Sequence, residues 1–212
     1  MLAKADVLGR ICCDQQDILL RIDLFRELCE DNGCWGKART FASDYGRYLY
    51  LNGRSEMPDY QPFDDRTFDV YAMCAIAGSG KDSYIRQHLA HLPMLSLDEI
   101  RRERKLDPAD SKHTAEAVRL GKEQAKEYLR ARTSFVFNAT NLNRDLRSKW
   151  LPMFADYGAR VHLIYLEVPY TRLLSQNRNR EHSVPNDVLH RMIEKLEIPD
   201  YSEAHTVDFV VS

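Results

Sequence analysis

The chain has 212 residues, enough for one domain with a small appendage. Its hydrophobic content of 44%, with 8 Phe, 11 Tyr and 2 Trp, can build a core, which excludes a wholly disordered chain or a fibre. The 30 Lys and Arg residues nearly balance 32 Asp and Glu, and the net charge of −2 argues against a protein that coats nucleic acid through a general positive field.

Cysteine usage and hydropathy give expectations about compartment. The five cysteines are odd in number and include no C-x-x-C pair, so reduced thiols are favoured over a disulfide framework or a zinc site. The sequence opens with no charged-then-apolar leader and contains no run of 18 apolar residues. We therefore expect a cytoplasmic chain with no membrane partner.

Residues 1–66 are predicted to form a helical N-terminal region and linker. A helix follows Asp14, with apolar residues at helical spacing and Gly33 at its end. A shorter helix is expected over residues 43–51. The stretch 54–66 is rich in Pro and Asp and is typical of an ordered loop or linker.

Residues 67–212 are predicted to form a second domain, in which strand-like runs alternate with helices. Strands are predicted at 68–76, 94–97, 134–137, 161–168 and 206–211. Helices are predicted at 82–89, 115–131, 144–157, 170–177 and 185–196. Because strands separated by such helices form βαβ crossovers, we expect an α/β fold with a mostly parallel five-stranded sheet flanked by helices.

The strongest motif lies between the first strand and helix of this domain, and it reads Ala75-Ile76-Ala77-Gly78-Ser79-Gly80-Lys81-Asp82-Ser83. The two glycines permit positive φ, so successive N–H groups can turn toward one anion, and the helix N-terminus adds its dipole. Lys81 would place its charge between the β- and γ-phosphates of a nucleotide. A Gly-rich turn without a ligand is the competing interpretation.

The motif departs from G-x-x-x-x-G-K-[ST] at two positions, because Ala75 replaces the first Gly and Asp82 follows the lysine. The side chain after the lysine usually faces Mg²⁺. Asp82 therefore either binds Mg²⁺, directly or through water, or only complements the helix dipole. Ser83 can supply a hydroxyl one position later.

Two further strand ends carry polar side chains. The second predicted strand runs into Asp98 and Arg101, which suit a general base and an anchor for an acidic acceptor. A helix cap and a surface charge are the alternative. The third strand ends near Asn138, Thr140 and Asn141, which can hydrogen-bond phosphates, substrate or metal-bound waters, or can form a mere turn. None of them is the Walker B acid that such a fold normally carries.

Arginines are concentrated between the last two predicted helices. This segment contains Arg172, Arg178, Arg180 and His182 and ends at Pro185. Such a segment favours a lid that stabilises charge on the transferring phosphoryl group. A solvated loop is the alternative.

Together these motifs resemble those of a polynucleotide 5′-hydroxyl kinase of nucleic-acid repair, a P-loop phosphotransferase. The resemblance covers the chain from about Phe68 onward and is carried by four motifs, at residues 77–83, 96–101, 138–143 and 184–189. It is strongest to the bacterial proteins in which such a kinase follows an HD-type phosphohydrolase domain. The resemblance implies a P-loop kinase fold with an arginine-bearing lid.

The resemblance implies a role for each residue on the donor side. ATP, or another NTP, with Mg²⁺ would bind the loop, with Lys81 on the β- and γ-phosphates and Ser83 nearby. Arg180 would contact the donor phosphates from the lid. Gln176 stands where such kinases carry a second lid arginine, for which Arg178 can compensate. Pro199 sits where they pack adenine.

On the acceptor side, the resemblance implies that the substrate is the 5′-hydroxyl end of a single RNA or DNA strand. Asp98 would act as general base on this hydroxyl, and Arg101 would grip the phosphate on the 3′ side of the terminal nucleoside. Thr140 and Asn141 would line the acceptor site. Ala139 replaces an aspartate of a phage relative, which affects metal handling.

The N-terminal region departs most from these relatives. Residues 3–10 resemble the last helix of an HD domain, yet all seven histidines lie from His88 onward and no His-Asp pair occurs. Because a phosphohydrolase metal site needs those ligands, we expect no phosphohydrolase activity. The resemblance implies the kinase half of a longer protein, or a naturally shortened one.

The preferred hypothesis is transfer of the γ-phosphoryl group of ATP to a 5′-hydroxyl end. One alternative is a P-loop kinase of a small-molecule hydroxyl, which the near-neutral charge favours because strand affinity rests on neutralising phosphates. A second alternative is a nucleotide-binding module without catalysis. Asp98 and the lid arginines argue against it, because a passive binder needs no acceptor-side base.

Overall fold

The fold is taken from a computed structural model that describes residues 2–179 and 183–211. The chain forms two compact units, Met1–Ala42 and Ser43–Ser212. The predicted domain boundary between residues 66 and 67 stays a prediction. The first unit contains the helices α1 (Leu2–Leu8) and α2 (Gln15–Asp31).

The two helices of the first unit pack against each other. Val7 of α1 is buried, and its carbonyl accepts a hydrogen bond from Gln15 Nε2 at 3.0 Å. Lys4 of α1 pairs with Asp23 of α2 at 2.5 Å. Since the latter pair is half exposed, it contributes little to stability.

The second unit is built around one parallel sheet. Its strands, within the described residues, are β1 (Asp69–Ala75), β2 (Met94–Ser96), β3 (Phe135–Asn138), β4 (Arg160–Glu167) and β5 (Thr206–Val211). They are ordered β2-β3-β1-β4-β5, and all neighbouring strands run parallel. The predicted α/β fold with a five-stranded parallel sheet is confirmed. Each predicted strand lies within two residues of the observed one.

Helices of the second unit connect these strands. They are α3 (Asp44–Leu51), α4 (Lys81–His88), α5 (Leu97–Arg104), α6 (Ser111–Arg130), α7 (Arg144–Ser148), α8 (Leu151–Asp156), α9 (Tyr170–Arg178) and α10 (Asn186–Glu194). The prediction of one helix over 144–157 is wrong, because α7 ends before Lys149. Pro152 has no N–H to continue the helical ladder and instead lies in the first turn of α8.

The core of this unit lies on both faces of the sheet, as alternation along β1 requires. Val70, Ala72 and Cys74 point to one face, where they join a buried cluster with residues of α6 and α8. Met73 and Ala75 point to the other face and join a cluster with Ile85 of α4. The strand is therefore an almost continuous apolar run, and its end delivers the chain to the edge of the sheet.

In the parts of the chain that the structure describes, every helix is too short or too polar to cross a bilayer.

Candidate active site

The loop after β1 has the shape of an anion cradle. Residues 76–80 connect β1 to α4, and Gly78 and Gly80 have φ of 90° and 96°. Such values favour glycine, since a Cβ would add strain of roughly 1–2 kcal/mol. Gly80 is the N-cap of α4, so the unpaired N–H groups of the helix follow the loop directly. This is the local geometry that phosphate binding requires.

Ser79, between the two glycines, provides a test of whether this loop fits a ligand. Its side chain is buried, and among the described residues its Oγ has no hydrogen-bond partner. A buried hydroxyl without a partner costs about 1–3 kcal/mol. A phosphate oxygen in the cradle would supply the missing partner. The loop therefore fits a nucleotide.

Lys81 and Asp82 begin α4 beside this cradle. Lys81 is half-buried and Asp82 is exposed. Asp82 Oδ1 accepts a hydrogen bond from Asn138 Nδ2 at 3.1 Å, across from the end of β3. Ser83 is exposed, and its Oγ accepts a hydrogen bond from Arg86 at 3.3 Å. Oxygen ligands from Asp82 or Ser83 suit Mg²⁺, which takes few protein ligands besides phosphates and water.

In residues 2–179 and 183–211, no three His, Cys, Asp or Glu side chains cluster closely enough to hold an ion. A metal held at Asp82 would thus depend on the nucleotide for most of its ligands.

Asp98 and Arg101 follow the end of β2 on the first turns of α5. Arg101 Nη1 donates to Asp98 Oδ1 at 2.7 Å, and the carboxylate is 76% exposed while the arginine side chain is 21% exposed. Arg101 Nε is buried without a hydrogen-bond partner in the described structure. With β3 between β2 and β1, and strands spaced at about 4.8 Å, the pair lies roughly 10 Å along the sheet edge from the loop. The predicted base is open to an acceptor.

Hydrogen bonds attach the loop after β3 to strand β1. The Thr140 carbonyl accepts from the Ala75 N–H at 2.9 Å, and Asn141 Nδ2 donates to the Met73 carbonyl at 2.7 Å. Asn141 is only 4% exposed and has φ of 48°. Its amide nitrogen therefore braces β1. The acceptor-site role of Thr140, which is half-buried, stays a prediction, as does that of Asn141.

A buried arginine that the sequence analysis did not identify, Arg147, also donates to this loop. Arg147 is 1% exposed, and its Nη1 donates to the Asn141 carbonyl at 3.0 Å. Its Nε and Nη2 form a fork with Glu203 at 2.6 and 2.9 Å. Burial raises the pKa of the neighbouring Cys74 thiol to about 11, although Arg147 opposes this. Cys74 is therefore a protonated, structural thiol at neutral pH.

The C-terminal end of α9 packs on the cradle. A Cβ on Gly78 would lie 3.4 Å from the Cβ of Asn177. With its amide oriented to satisfy both atoms, Gln176 donates to the Gly78 carbonyl at 2.7 Å and accepts from Arg172 Nε at 3.1 Å. Gln176, which stands where the resembled kinases carry a second lid arginine, thus contacts the loop backbone. The sequence carried no signal for this contact.

Asn177 also ties the two ends of the arginine-rich segment together. It is 2% exposed, its Nδ2 donates to the Val184 carbonyl at 2.7 Å, and its Oδ1 accepts from the Val184 N–H at 3.0 Å. Arg178 is exposed at the end of α9. Arg180, predicted to be the lid arginine, lies outside the described residues. Pro199 is buried, and its predicted contact with adenine stays a prediction.

A cavity of about 680 Å³ lies at the opposite, amino-terminal edge of the sheet. Two polar groups of its lining have protein partners: Arg66 forms a fork with Asp64 at 2.8 Å, and His205 Nδ1 accepts from the Val161 N–H at 2.9 Å. Arg66 Nη1 is buried without a hydrogen-bond partner in the described structure. Burial lowers the pKa of His205 to about 3, so this histidine is neutral at physiological pH. The glycine loop and the exposed Asp98–Arg101 pair favour the carboxyl-terminal edge as the candidate site.

Comparison with known proteins gives a family match that includes the glycine loop. A family model described as an AAA domain matches residues 70–199, more than half of the chain, including the loop after β1. No curated protein matches the chain.

Several solved structures are similar in fold. A sugar kinase from Janibacter sp. HTCC2649 is 17% identical with a TM-score of 0.54, over 68% of this chain and 86% of that chain. A putative kinase from Chloroflexus aurantiacus j-10-fl is 16% identical with a TM-score of 0.53, over 69% and 89%. A chain of the Pnkp1/Rnl/Hen1 RNA repair complex is 14% identical with a TM-score of 0.56, over 62% and 44%. The fold is that of a P-loop kinase, with additional N-terminal helices.

Proposed function

Because the chain belongs to this AAA domain family, we propose that it is a phosphotransferase that moves the γ-phosphoryl group of ATP, or another NTP, to the 5′-hydroxyl end of an RNA or DNA strand. The observation that carries the proposal is the exposed Asp98 carboxylate, paired with Arg101, at the same sheet edge as the cradle. A nucleotide-binding module alone has no use for a base and an anion anchor at the end of β2, two strands from the cradle.

On the donor side, the backbone N–H groups of residues 78–80 and the start of α4 would hold the phosphates. Lys81 would neutralise charge on the β- and γ-phosphates. Bound Mg²⁺ would supply further charge neutralisation between these phosphates. Arg178 and Arg180 would approach from the end of α9, and we retain Pro199 as the residue beside adenine.

On the acceptor side, Asp98 would accept the proton of the 5′-hydroxyl as its oxygen forms the new bond to the γ-phosphorus. The bond from this phosphorus to the bridging oxygen breaks at the same time, and ADP leaves. Arg101 would bind the next phosphate of the strand, with Thr140 and Asn141 along the same edge. Arg101 also fixes the Asp98 carboxylate, since their hydrogen bond is 2.7 Å long.

A small-molecule kinase is the second candidate. The near balance of 30 basic and 32 acidic residues favours it, because strand binding gains from neutralising many phosphates. The fold likeness to a sugar kinase is compatible with it. Against a neutral sugar stands Arg101, because such an acceptor offers no anion for an arginine beside the base.

The test is transfer of labelled γ-phosphate from ATP to four acceptors: 5′-hydroxyl RNA, 5′-hydroxyl DNA, the matching mononucleoside and a sugar acid. We expect transfer to at least one oligonucleotide and a much slower reaction with the nucleoside, because only the strand offers Arg101 a phosphate. Equal rates on strand and nucleoside, or transfer to the sugar acid alone, would contradict the proposal.

A further inference from the structure

Two departures from the usual P-loop pattern meet in the structure. In P-loop NTPases a Ser or Thr follows the lysine, and Mg²⁺ is held by that hydroxyl and a Walker B aspartate. In this chain Asp82 follows the lysine, and β3, the strand beside β1, ends at the neutral residue Asn138. The hydroxyl is absent from one position and the carboxylate from the other.

The contact between these two positions is direct. Asn138 Nδ2 donates to Asp82 Oδ1 at 3.1 Å. This hydrogen bond holds the Asp82 carboxylate beside the end of β3. Asn138 adds no negative charge of its own, so the pair carries the single charge that the usual hydroxyl and aspartate carry together.

Electrostatics makes a carboxylate after Lys81 informative. Beside the β- and γ-phosphates of a nucleotide, a carboxylate is repelled unless a cation lies between them. Asp82 is exposed in the first turn of α4, directly after the cradle, so its charge lies near any phosphate group bound there. The position is favourable for ATP only when the metal accompanies it.

We propose that the chain has exchanged two residue types across this contact: Asp82, on the helix, supplies the carboxylate for the Mg²⁺ of the nucleotide, and Asn138, at the strand end, is the residue that positions it. The inference rests on the proposed function only in requiring that ATP binds the loop, and it is independent of the acceptor.

Of the two strands beside β1, β3 ends at the neutral Asn138 and β4 ends at the acid Glu167, which provides a matched control. It ends β4 and accepts a hydrogen bond from the Tyr165 hydroxyl at 2.7 Å, whereas Asn138 contacts Asp82. If the metal carboxylate came from a strand in the usual way, Glu167 would be the residue to supply it. Glu167→Gln removes its charge with little change in shape.

The experiment measures binding of a non-hydrolysable ATP analogue by calorimetry, once with Mg²⁺ and once with EDTA. For Asp82→Ser we expect affinity about tenfold weaker with Mg²⁺ and about tenfold tighter in EDTA, because the same charge attracts the metal and repels bare phosphate. A purely structural role for Asp82 would weaken binding under both conditions.

Asn138→Asp extends the test to the positioning residue. Relative to the starting protein, this variant should bind the ATP analogue about tenfold more weakly in EDTA, since two carboxylates then lie in contact. The double variant Asp82→Ser/Asn138→Asp restores the usual arrangement and should recover the Mg²⁺ dependence of the starting protein. Glu167→Gln should match the starting protein under both conditions.

Several results would overturn the exchange: Asp82→Ser with weakened or unchanged binding under both conditions, a double variant no better than Asp82→Ser, or a loss of Mg²⁺ dependence in Glu167→Gln. Absence of any ATP binding would overturn both the exchange and the proposed function. Mg²⁺-dependent binding as described, without phosphorylation of any oligonucleotide, would overturn only the acceptor.

Discussion

The loops after β1 and β3 lie side by side at the same edge of the sheet, yet they differ in whether their polar side chains have hydrogen-bond partners. Both follow buried strands and both contain positive φ, at Gly78 and at Asn141. In the first loop the Ser79 hydroxyl is buried without a partner in the described structure. In the second loop the Asn141 amide donates to the Met73 carbonyl.

The difference teaches how to separate a binding loop from a brace. A polar residue at a strand end is expected at the ligand crevice, but only its partners show whether it is available. The loop after β1 leaves donors for a ligand. In the loop after β3, the Asn141 amide already donates to β1, and Arg147 donates to the Asn141 carbonyl. Mutations should therefore affect activity in one case and stability in the other.

The largest effect should come from the acceptor side of the open edge. Asp98→Ala removes the proposed general base and should lower turnover by about 10²–10⁴-fold. The melting temperature should stay nearly constant, because the carboxylate is 76% exposed. Steady-state phosphorylation of an oligonucleotide measures the loss. Asp145→Ala, at an exposed aspartate of α7, serves as control, and an equal loss in both variants would remove Asp98 from the reaction.

Substitution of Arg147, which holds the loop after β3, should lower the stability of the fold. Arg147→Ala leaves Glu203 buried without its partner and should lower the free energy of unfolding by about 3–5 kcal/mol, as measured by urea denaturation. Arg119→Ala removes an exposed arginine that also pairs with two acids, and it should cost less than about 1 kcal/mol. Similar losses of unfolding free energy in the two variants would show that the buried Arg147 pair stabilises the fold no more than the exposed Arg119 pairs.

The two glycines of the cradle sharpen the comparison within one loop. Gly78→Ala and Gly80→Ala each force a side chain into positive φ, at about 1–2 kcal/mol. Only at Gly78 does the new Cβ also meet Asn177, at 3.4 Å, while Gly80 faces open space. We expect Gly78→Ala to be the more destabilising in thermal unfolding. The reverse order would show that α9 does not restrain the cradle.

The smallest effect concerns the unpaired hydroxyl. Ser79→Ala removes a buried donor that the free protein does not satisfy, so stability should stay the same or rise by up to about 1 kcal/mol. ATP affinity should fall by a few-fold in a calorimetric titration, because the hydroxyl would bond a phosphate. A clear loss of stability with unchanged affinity would mean that Ser79 belongs to the fold and not to the site.

Much of the fold follows from the sequence because parallel strands are buried on both faces. The runs at 68–76 and 161–168 are almost wholly apolar, and they match β1 and β4 closely. The break between α7 and α8 was missed, although Pro152 marks it, because the apolar spacing continues across it. The strand order depends on long-range packing that no local period records.

The site was predictable only as far as its local geometry. Gly78 and Gly80 predict positive φ because glycine adopts it readily, and both residues have positive φ in the structure. The partner of Asn141 is the backbone of β1, 68 positions away, and the contact of Gln176 with Gly78 also joins distant segments. Such partners depend on which strands and helices become neighbours, so residue type alone does not reveal them.

The central claim is that the cradle and Asp98 act on one acceptor end. The most direct measurement is transfer of labelled γ-phosphate to paired oligonucleotides that differ only in a free or an already phosphorylated 5′ end. The account predicts one phosphate added per free 5′ end, none on the blocked strand, and loss of the reaction in Asp98→Ala. Label on the blocked strand, or full transfer by Asp98→Ala, would contradict it.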